Sequence, residues 1–169
     1  MNFNDKILVL DGAMGTMIQK YGLDERDFHK PVPADDLVNR DPAALKALEE
    51  SRMELKGNNE CLNLTRPDII FDIHRKYIEA GADIIESNTF SANSISQEEY
   101  GLADIAGEMA REGAAIARRA ADQSGRKVYV AGSVGPTSKS LTLAQNVEHP
   151  EYRPYGVREM VSAYREQIR

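Results

Sequence analysis

The run Ile7-Leu8-Val9-Leu10 places four large aliphatics in succession and leads directly into Asp11, with glycines following at Gly12 and Gly15. An unbroken aliphatic run is the pattern of a strand covered on both faces, as in parallel sheets. Residues 82–90 repeat it, with Ile84-Ile85 giving way to Glu86, Ser87, Asn88, Thr89 and Phe90, and residues 127–132 repeat it again before Ser133-Val134-Gly135-Pro136-Thr137. Helical periods lie between these strands. Residues 14–21 predict a short helix ended by Gly22. Asp41 before Pro42, with Leu45, Leu48 and Met53 on one stripe and Gly57 as C-cap, predicts a helix over 42–56. Thr65 and Pro67-Asp68 open a third, in which Ile69, Ile70, Ile73, Tyr77 and Ile78 recur at helical spacing up to Gly81, and His74 beside that stripe reads as a helix-surface histidine. Ser94 and Gln97 have capping-box spacing for a short helix to Tyr100. The alanine-rich residues 103–123 predict a long helix able to lie close on a sheet, and Val157, Met160, Val161 and Tyr164 start a last one with no stop signal before Arg169.

Three stretches lack a period. Residues 23–40 contain Pro31 and Pro33 and read as a surface excursion, residues 61–64 are too short to assign, and the twenty residues up to Gly156 form a loop of a length that compact domains keep for function. The alternation of strand and helix gives an α/β fold with parallel strands.

Composition narrows the partners. A chain of 169 residues with 41% hydrophobic and 28% charged residues suits one soluble domain, and a net charge of −6 without a basic cluster argues against nucleic acid and anionic membranes. There is no apolar run of membrane-spanning length, and the first residues lack a signal-peptide layout, so the expected location is the cytoplasm. Cys61 is the single cysteine, best read as a small buried hydrophobe, and His29, His74 and His149 show no metal-ligand spacing; no metal site is expected within the chain.

Ligands of parallel α/β folds bind beyond the carboxyl ends of the strands. Here that rim carries Asp11-Gly12-Ala13, then Glu86 to Phe90, then Ser133 to Thr137. Glycines at 12 and 15 allow main-chain N–H groups to approach an anion, while Asp11 suits an ammonium and repels a phosphate, so the rim fits a zwitterionic amino acid. The same glycines also suit a plain tight turn. P-loop, dinucleotide and nucleophile-elbow patterns are absent. Asp11 and Glu86 remain a geometric option for a general acid/base pair.

The segments Leu10-Asp11-Gly12-Ala13-Met14-Gly15-Thr16, Leu55-Lys56-Gly57-Asn58-Asn59, 79–90 and 131–137 together resemble the N-terminal homocysteine-binding (homocysteine S-methyltransferase) module of cobalamin-dependent methionine synthases. The resemblance covers nearly the whole chain in order; residues 29–53 are longer and more charged than the family pattern, as an insertion would be. It implies the N-terminal part, about three βα units, of a (β/α)8 TIM barrel that binds homocysteine at its top face. It implies a zinc ion held by three cysteines, which binds the substrate sulfur as a thiolate, and a methyl group delivered from methylcobalamin on another domain, with 5-methyltetrahydrofolate as ultimate donor. Carried over by position, Asp11 holds the amino group, Gly12 and Ala13 bind the carboxylate, and Asn88, Thr89 and Phe90 line the pocket; Met14, Glu86, Gly135, Pro136 and Thr137 shape it. Cys61 matches none of the zinc cysteines, which the resemblance puts beyond Arg169, so no catalytic residue and no metal ligand is expected in this chain.

A barrel of this kind takes about 250 residues. Residues 1–169 are therefore expected to be a partial domain whose partners are the rest of the barrel and the folate- and cobalamin-binding domains, and which by itself is inactive, zinc-free and prone to associate. Two alternatives share these motifs or this rim: a cobalamin-independent homocysteine S-methyltransferase using betaine or S-methylmethionine, and a non-catalytic amino-acid-binding module. A purely structural α/β piece is the third.

Overall fold

The computed structural model describes residues 7–33, 38–142, 148–149 and 151–169; the N-terminal six residues, and parts of the 23–40 and 137–156 stretches, lie outside the described residues. The architecture is helix-rich α/β around a small parallel sheet. In chain order the helices are α1 Met14–Gln19, α2 Glu25–His29, α3 Pro42–Glu50, α4 Leu62–Thr65, α5 Pro67–Glu79, α6 Ser94–Gln97, α7 Ala106–Asp122 and α8 Val157–Ile168. The strands are β1 Ile84–Glu86 and β2 Tyr129–Ala131, paired in parallel with Ile85 opposite Val130.

The opening aliphatic run differs from its expectation. It joins β1 on the side away from β2 through one parallel bridge, Leu10 to Ile84, supported by Asp11 N–H to Ile84 C=O at 2.9 Å and Asp83 N–H to Val9 C=O at 2.7 Å. Far from being covered on both faces, Ile7 is 90%, Val9 53% and Leu10 51% exposed. Among the described residues nothing pairs with its outer edge, which leaves apolar surface of the kind that parallel sheets normally cover.

Two cores hold the rest. The larger gathers Ile18, Phe28, Leu48, Leu55, Leu62, Ile70, Ile73 and Met109 among the helices. The second lies on the sheet, where Ala117, Ala120 and Ala121 of α7 meet Ile85, Val128 and Ile78, and the small side chains let α7 approach closely. Each fully buried aliphatic stabilises the fold by about 1.5–3 kcal/mol relative to remaining exposed.

Tertiary contacts override the local pattern in several places. The 23–40 excursion contains α2, whose Asp24 takes the Arg26 N–H at 2.8 Å while Asp27 takes the Asp24 N–H at 3.0 Å, a reciprocal cap that nucleates one turn and buries Phe28. Helix α3 stops at Glu50 instead of 56, because the Glu25 carboxylate accepts the N–H groups of Leu55 (2.6 Å) and Lys56 (2.9 Å) and draws that segment out of helical register. Leu48 and Leu55 are buried, Met53 is exposed, and Gly57 sits at φ +103° in a turn and caps no helix. Residues 59–65 form a 3-10 turn, Asn59–Cys61, followed by α4; Cys61 is fully buried, as a small hydrophobe would be. The cap of α6 is Asn93, whose Oδ1 accepts from Ser96 N–H, and not Ser94. A 3-10 turn, Ala103–Ile105, precedes α7 and delays its start.

His74 is also placed differently from its expectation as a surface residue. It is fully buried in α5, and neither ring nitrogen has a hydrogen-bond partner. Burial lowers its pKa from the ordinary 6.5 to about 4, because a charged imidazole has nothing to solvate it. Between these values the unfolded chain binds a proton that the folded one refuses, so the stability contributed by a neutral His74 is complete above pH 6.5 and is lost as pH falls toward 4. The loss amounts to about 3 kcal/mol. His74→Leu is expected to remove this acid slope, which urea unfolding of both proteins between pH 4 and 7 measures; parallel curves would show that His74 does not set it.

Candidate functional site

The turn after the opening strand and the carboxyl end of β1 face each other across a cleft of about 470 Å³. One wall is the turn itself: Gly12, Ala13, Met14 and Gly15. The first intrahelical bond of α1 runs from Met17 N–H to Ala13 C=O, and the N–H groups of Gly12 and Ala13 make no hydrogen bond among the described residues. They are free donors at the cleft edge. The rest of the lining is Glu86, Ser87 and Asn88 with Phe90, Ser91 and Ser133, together with Gly57, Asn59 and Glu60 from the turn before α4.

The predicted residues divide between this lining and its support. Gly12, Ala13, Met14, Glu86, Asn88 and Phe90 line the cleft. Asp11 stands behind it: Oδ2 accepts the Glu86 N–H at 3.1 Å, and Oδ1 is buried without a partner. Burial is the main reason its pKa rises from 3.8 to about 6; the Glu86 N–H opposes the rise and the Glu86 charge adds to it. Thr89 is buried, donating from Oγ1 to Ser133 C=O at 2.8 Å and sharing a 2.7 Å hydrogen bond with Ser87, so it ties the ends of β1 and β2 together. Gly135 donates its N–H to Phe90 C=O at 2.8 Å, and a Cβ there would lie 2.5 Å from the Phe90 ring, so only glycine lets the two rims close up. Pro136 and Thr137 border an adjoining cleft of about 350 Å³ that shares Gly57, Glu60 and Ser91 with the first.

Side chains that the sequence reading passed over hold this arrangement. Asn63 donates to Asn88 C=O at 2.8 Å and to Met109 C=O at 2.9 Å, while its Oδ1 accepts from Asn88 Nδ2, whose other hydrogen goes to Asn59 C=O at 2.8 Å. Asn58 and Gln97 exchange amide hydrogen bonds at 2.7 and 3.0 Å, and Gln97 also donates to Ser91 C=O. Glu60 accepts the Ser91 N–H at 2.8 Å, with its carboxyl pushed up by burial. The signal for these was the amide-rich run Asn58-Asn59-Glu60 and Asn63, of which Asn58-Asn59 entered the reading as part of a resembling motif, while residues 61–64 were left unassigned.

The sequence profile of the homocysteine S-methyltransferase family matches residues 8–169. The chain belongs to the homocysteine S-methyltransferase family. Among solved structures it is similar to the homocysteine methyltransferase MmuM from Escherichia coli in its metallated form, with a TM-score of 0.58 at 24% identity, covering 98% of this chain and 49% of that one. The oxidized form of the same enzyme gives a TM-score of 0.56 at 24% identity, covering 96% and 48%. The chain thus spans about half the length of these structures, and the likeness carries the fold. Its three parallel segments, each followed by helices, are the N-terminal part of the methyltransferase (β/α)8 barrel.

Zinc does not fit the residues present. Among the described residues no three His, Cys, Asp or Glu side chains gather as a metal site, and Cys61 is sealed in the core with its thiol pushed far above the ordinary range by burial. No described helix is long and apolar enough to cross a membrane.

Behind the rim, Gly113 of α7 provides the clearance on which the cleft depends: a Cβ there would lie 2.5 Å from Asn63 Nδ2 and 2.8 Å from Thr89 Cγ2. Alanine in a helix is ordinarily favoured over glycine by about 1 kcal/mol. Gly113→Ala is expected to reverse that sign and destabilise by about 1–3 kcal/mol, through overpacking against Asn63 and Thr89. Chemical denaturation reads the difference, and a stabilised variant would show that the rim does not rest on this contact.

Proposed function

We propose that residues 1–169 supply the amino-acid-binding side of the active site of a homocysteine S-methyltransferase of the cobalamin-dependent methionine synthase type. The observation that carries this reading is the pairing, at one cleft, of N–H groups at Gly12 and Ala13 that are unbonded among the described residues with carboxylates, and with no basic lining residue among the described residues. Main-chain donors suit a substrate carboxylate and a carboxylate side chain suits an ammonium, so a zwitterion is accommodated where a phosphate is not. In this reading Gly12 and Ala13 bind the homocysteine carboxylate. Asp11, whose Oδ1 has no partner among the described residues, takes the amino group from behind the turn, and the substrate chain runs along Asn88 and Phe90, with Thr89 supporting that rim. Met14, Glu86 and the Gly135-Pro136-Thr137 turn give the pocket its shape.

The residues here bind and orient; the group that activates the sulfur is supplied from outside residues 1–169, as are the folate- and cobalamin-binding domains. In the overall reaction the homocysteine sulfur gives up its thiol proton and accepts a methyl group, yielding methionine. Methylcobalamin is the proposed immediate donor and 5-methyltetrahydrofolate the ultimate one. Residues 29–53 are proposed as an insertion outside the chemistry.

Assay of the intact protein carrying this segment, with homocysteine and each methyl donor in turn, tests the assignment. Methionine is expected from methylcobalamin and not from betaine or S-methylmethionine, and Asp11→Asn is expected to raise KM for homocysteine about tenfold or more through loss of a charged hydrogen-bond acceptor. Turnover with betaine or S-methylmethionine alone would overturn the donor, and homocysteine binding without turnover from any donor would favour a binding module.

A further inference from the structure

The main cleft carries a charge imbalance that the residues assigned so far leave open. Glu60 and Glu86 both line it, and no Lys, Arg or His does so among the described residues. Glu86 is exposed, so water screens it. Glu60 is only 6% exposed. One of its oxygens takes the Ser91 N–H at 2.8 Å, and the carboxylate makes no ion pair and receives no hydrogen bond from any other side chain among the described residues. The adjoining cleft offers no neutralising charge: there Glu60 is joined by Glu99, and Lys139 spends its ammonium on Glu99 at 3.1 Å. A carboxylate withdrawn from water without a cation is the least favourable state of that group, and burial accordingly pushes its carboxyl above the usual range.

The position is also rigid. Glu60 sits in the 3-10 turn Asn59–Cys61. The Glu25 carboxylate holds the N–H groups of Leu55 and Lys56 before that turn, the Asn58–Gln97 amide pair holds its start, and fully buried Cys61 and Leu62 hold its end. A carboxylate fixed in this way pays little to be ordered when a ligand arrives.

We propose that Glu60 is a substrate-binding residue that takes the ammonium group of the amino-acid substrate, which deepens the reading of this cleft as the homocysteine site and rests on it. An ammonium has three donors, so Asp11 and Glu60 can share one between them. The roles differ: Asp11 is committed through Oδ2 to the Glu86 N–H, whereas Glu60 lines the cleft itself.

Glu60→Gln tests this, because the amide keeps an acceptor oxygen for the Ser91 N–H and loses only the charge. In the intact enzyme, KM for homocysteine is compared with the inhibition constant of 4-sulfanylbutanoate, which has the same thiol and carboxylate and no amine. The variant is expected to raise KM for homocysteine about 10- to 100-fold, leave kcat within about threefold, and leave the affinity for 4-sulfanylbutanoate unchanged. An unchanged KM overturns the proposal. So does an equal loss for both molecules, which would assign Glu60 to holding Ser91 in place. A wild-type enzyme that does not use homocysteine removes the substrate assignment together with this one, while normal wild-type turnover with an unaffected Glu60→Gln removes Glu60 alone.

Discussion

The amide of Asn63 joins three separate parts of the chain, and the cleft exists because it does. Its nitrogen donates to carbonyls at Asn88 and Met109, and its oxygen accepts from the Asn88 side chain. These bonds run from α4 to the end of β1 and to α7, where Asn63 and Met109 are fully buried and Asn88 is buried up to the cleft edge. An unmet donor or acceptor there would cost about 1–3 kcal/mol, so the network holds as a unit or fails as one. Gly113 keeps the space that Asn63 fills, and Thr89 uses the same space while it ties β1 to the segment after β2.

Behind this fixed rim, burial sets the behaviour of three ionisable groups in different ways. His74 has neither partner nor water and stays neutral. Asp11 is half withdrawn and keeps one main-chain donor, which leaves its pKa at about 6, where a charged ligand can decide its protonation state. Glu60 is the less exposed of the two carboxylates lining the cleft and has only main-chain N–H groups, Ser91 foremost, to offset its burial among the described residues. The cleft is therefore built with more negative charge than its own residues neutralise, which favours a cationic group over an anionic one.

The opening strand is the exposed edge of the same design. Its side chains have the composition of a covered strand, yet Ile7, Val9 and Leu10 lie largely in solvent. In a closed barrel such a strand has neighbours on both sides, and this chain corresponds to about half of the barrel structures to which it is similar. The turn Asp11-Gly12-Ala13 is held from β1, by Asp11 N–H to Ile84 C=O and by Glu86 N–H to Asp11, and from α5, by the Tyr77 hydroxyl to Ala13 C=O at 3.3 Å.

The order of elements, the parallel α/β class, the starts of α3 and α5 and the rim positions at Gly12, Ala13, Glu86, Asn88 and Phe90 were legible in the sequence, since they depend on period, proline and glycine placement and strand ends, all of which are local. What was not legible came from contacts between residues distant in the chain. Glu25 pulls Leu55 and Lys56 out of the helix that their spacing predicts, Phe28 turns a polar excursion into part of the core, and the packing around α5 buries a histidine that periodicity places at the edge of its apolar stripe. Asn63 and Glu60 lie in an amide-rich run whose sequence does not name their partners, because a buried amide and a buried carboxylate look like surface residues until those partners are known. The sequence by itself determined which strand ends share a rim; the tertiary structure alone decided which of their side chains line the cleft, and that a buried carboxylate, Glu60, is among them, because burial and hydrogen bonding across long separations are properties of the packed chain.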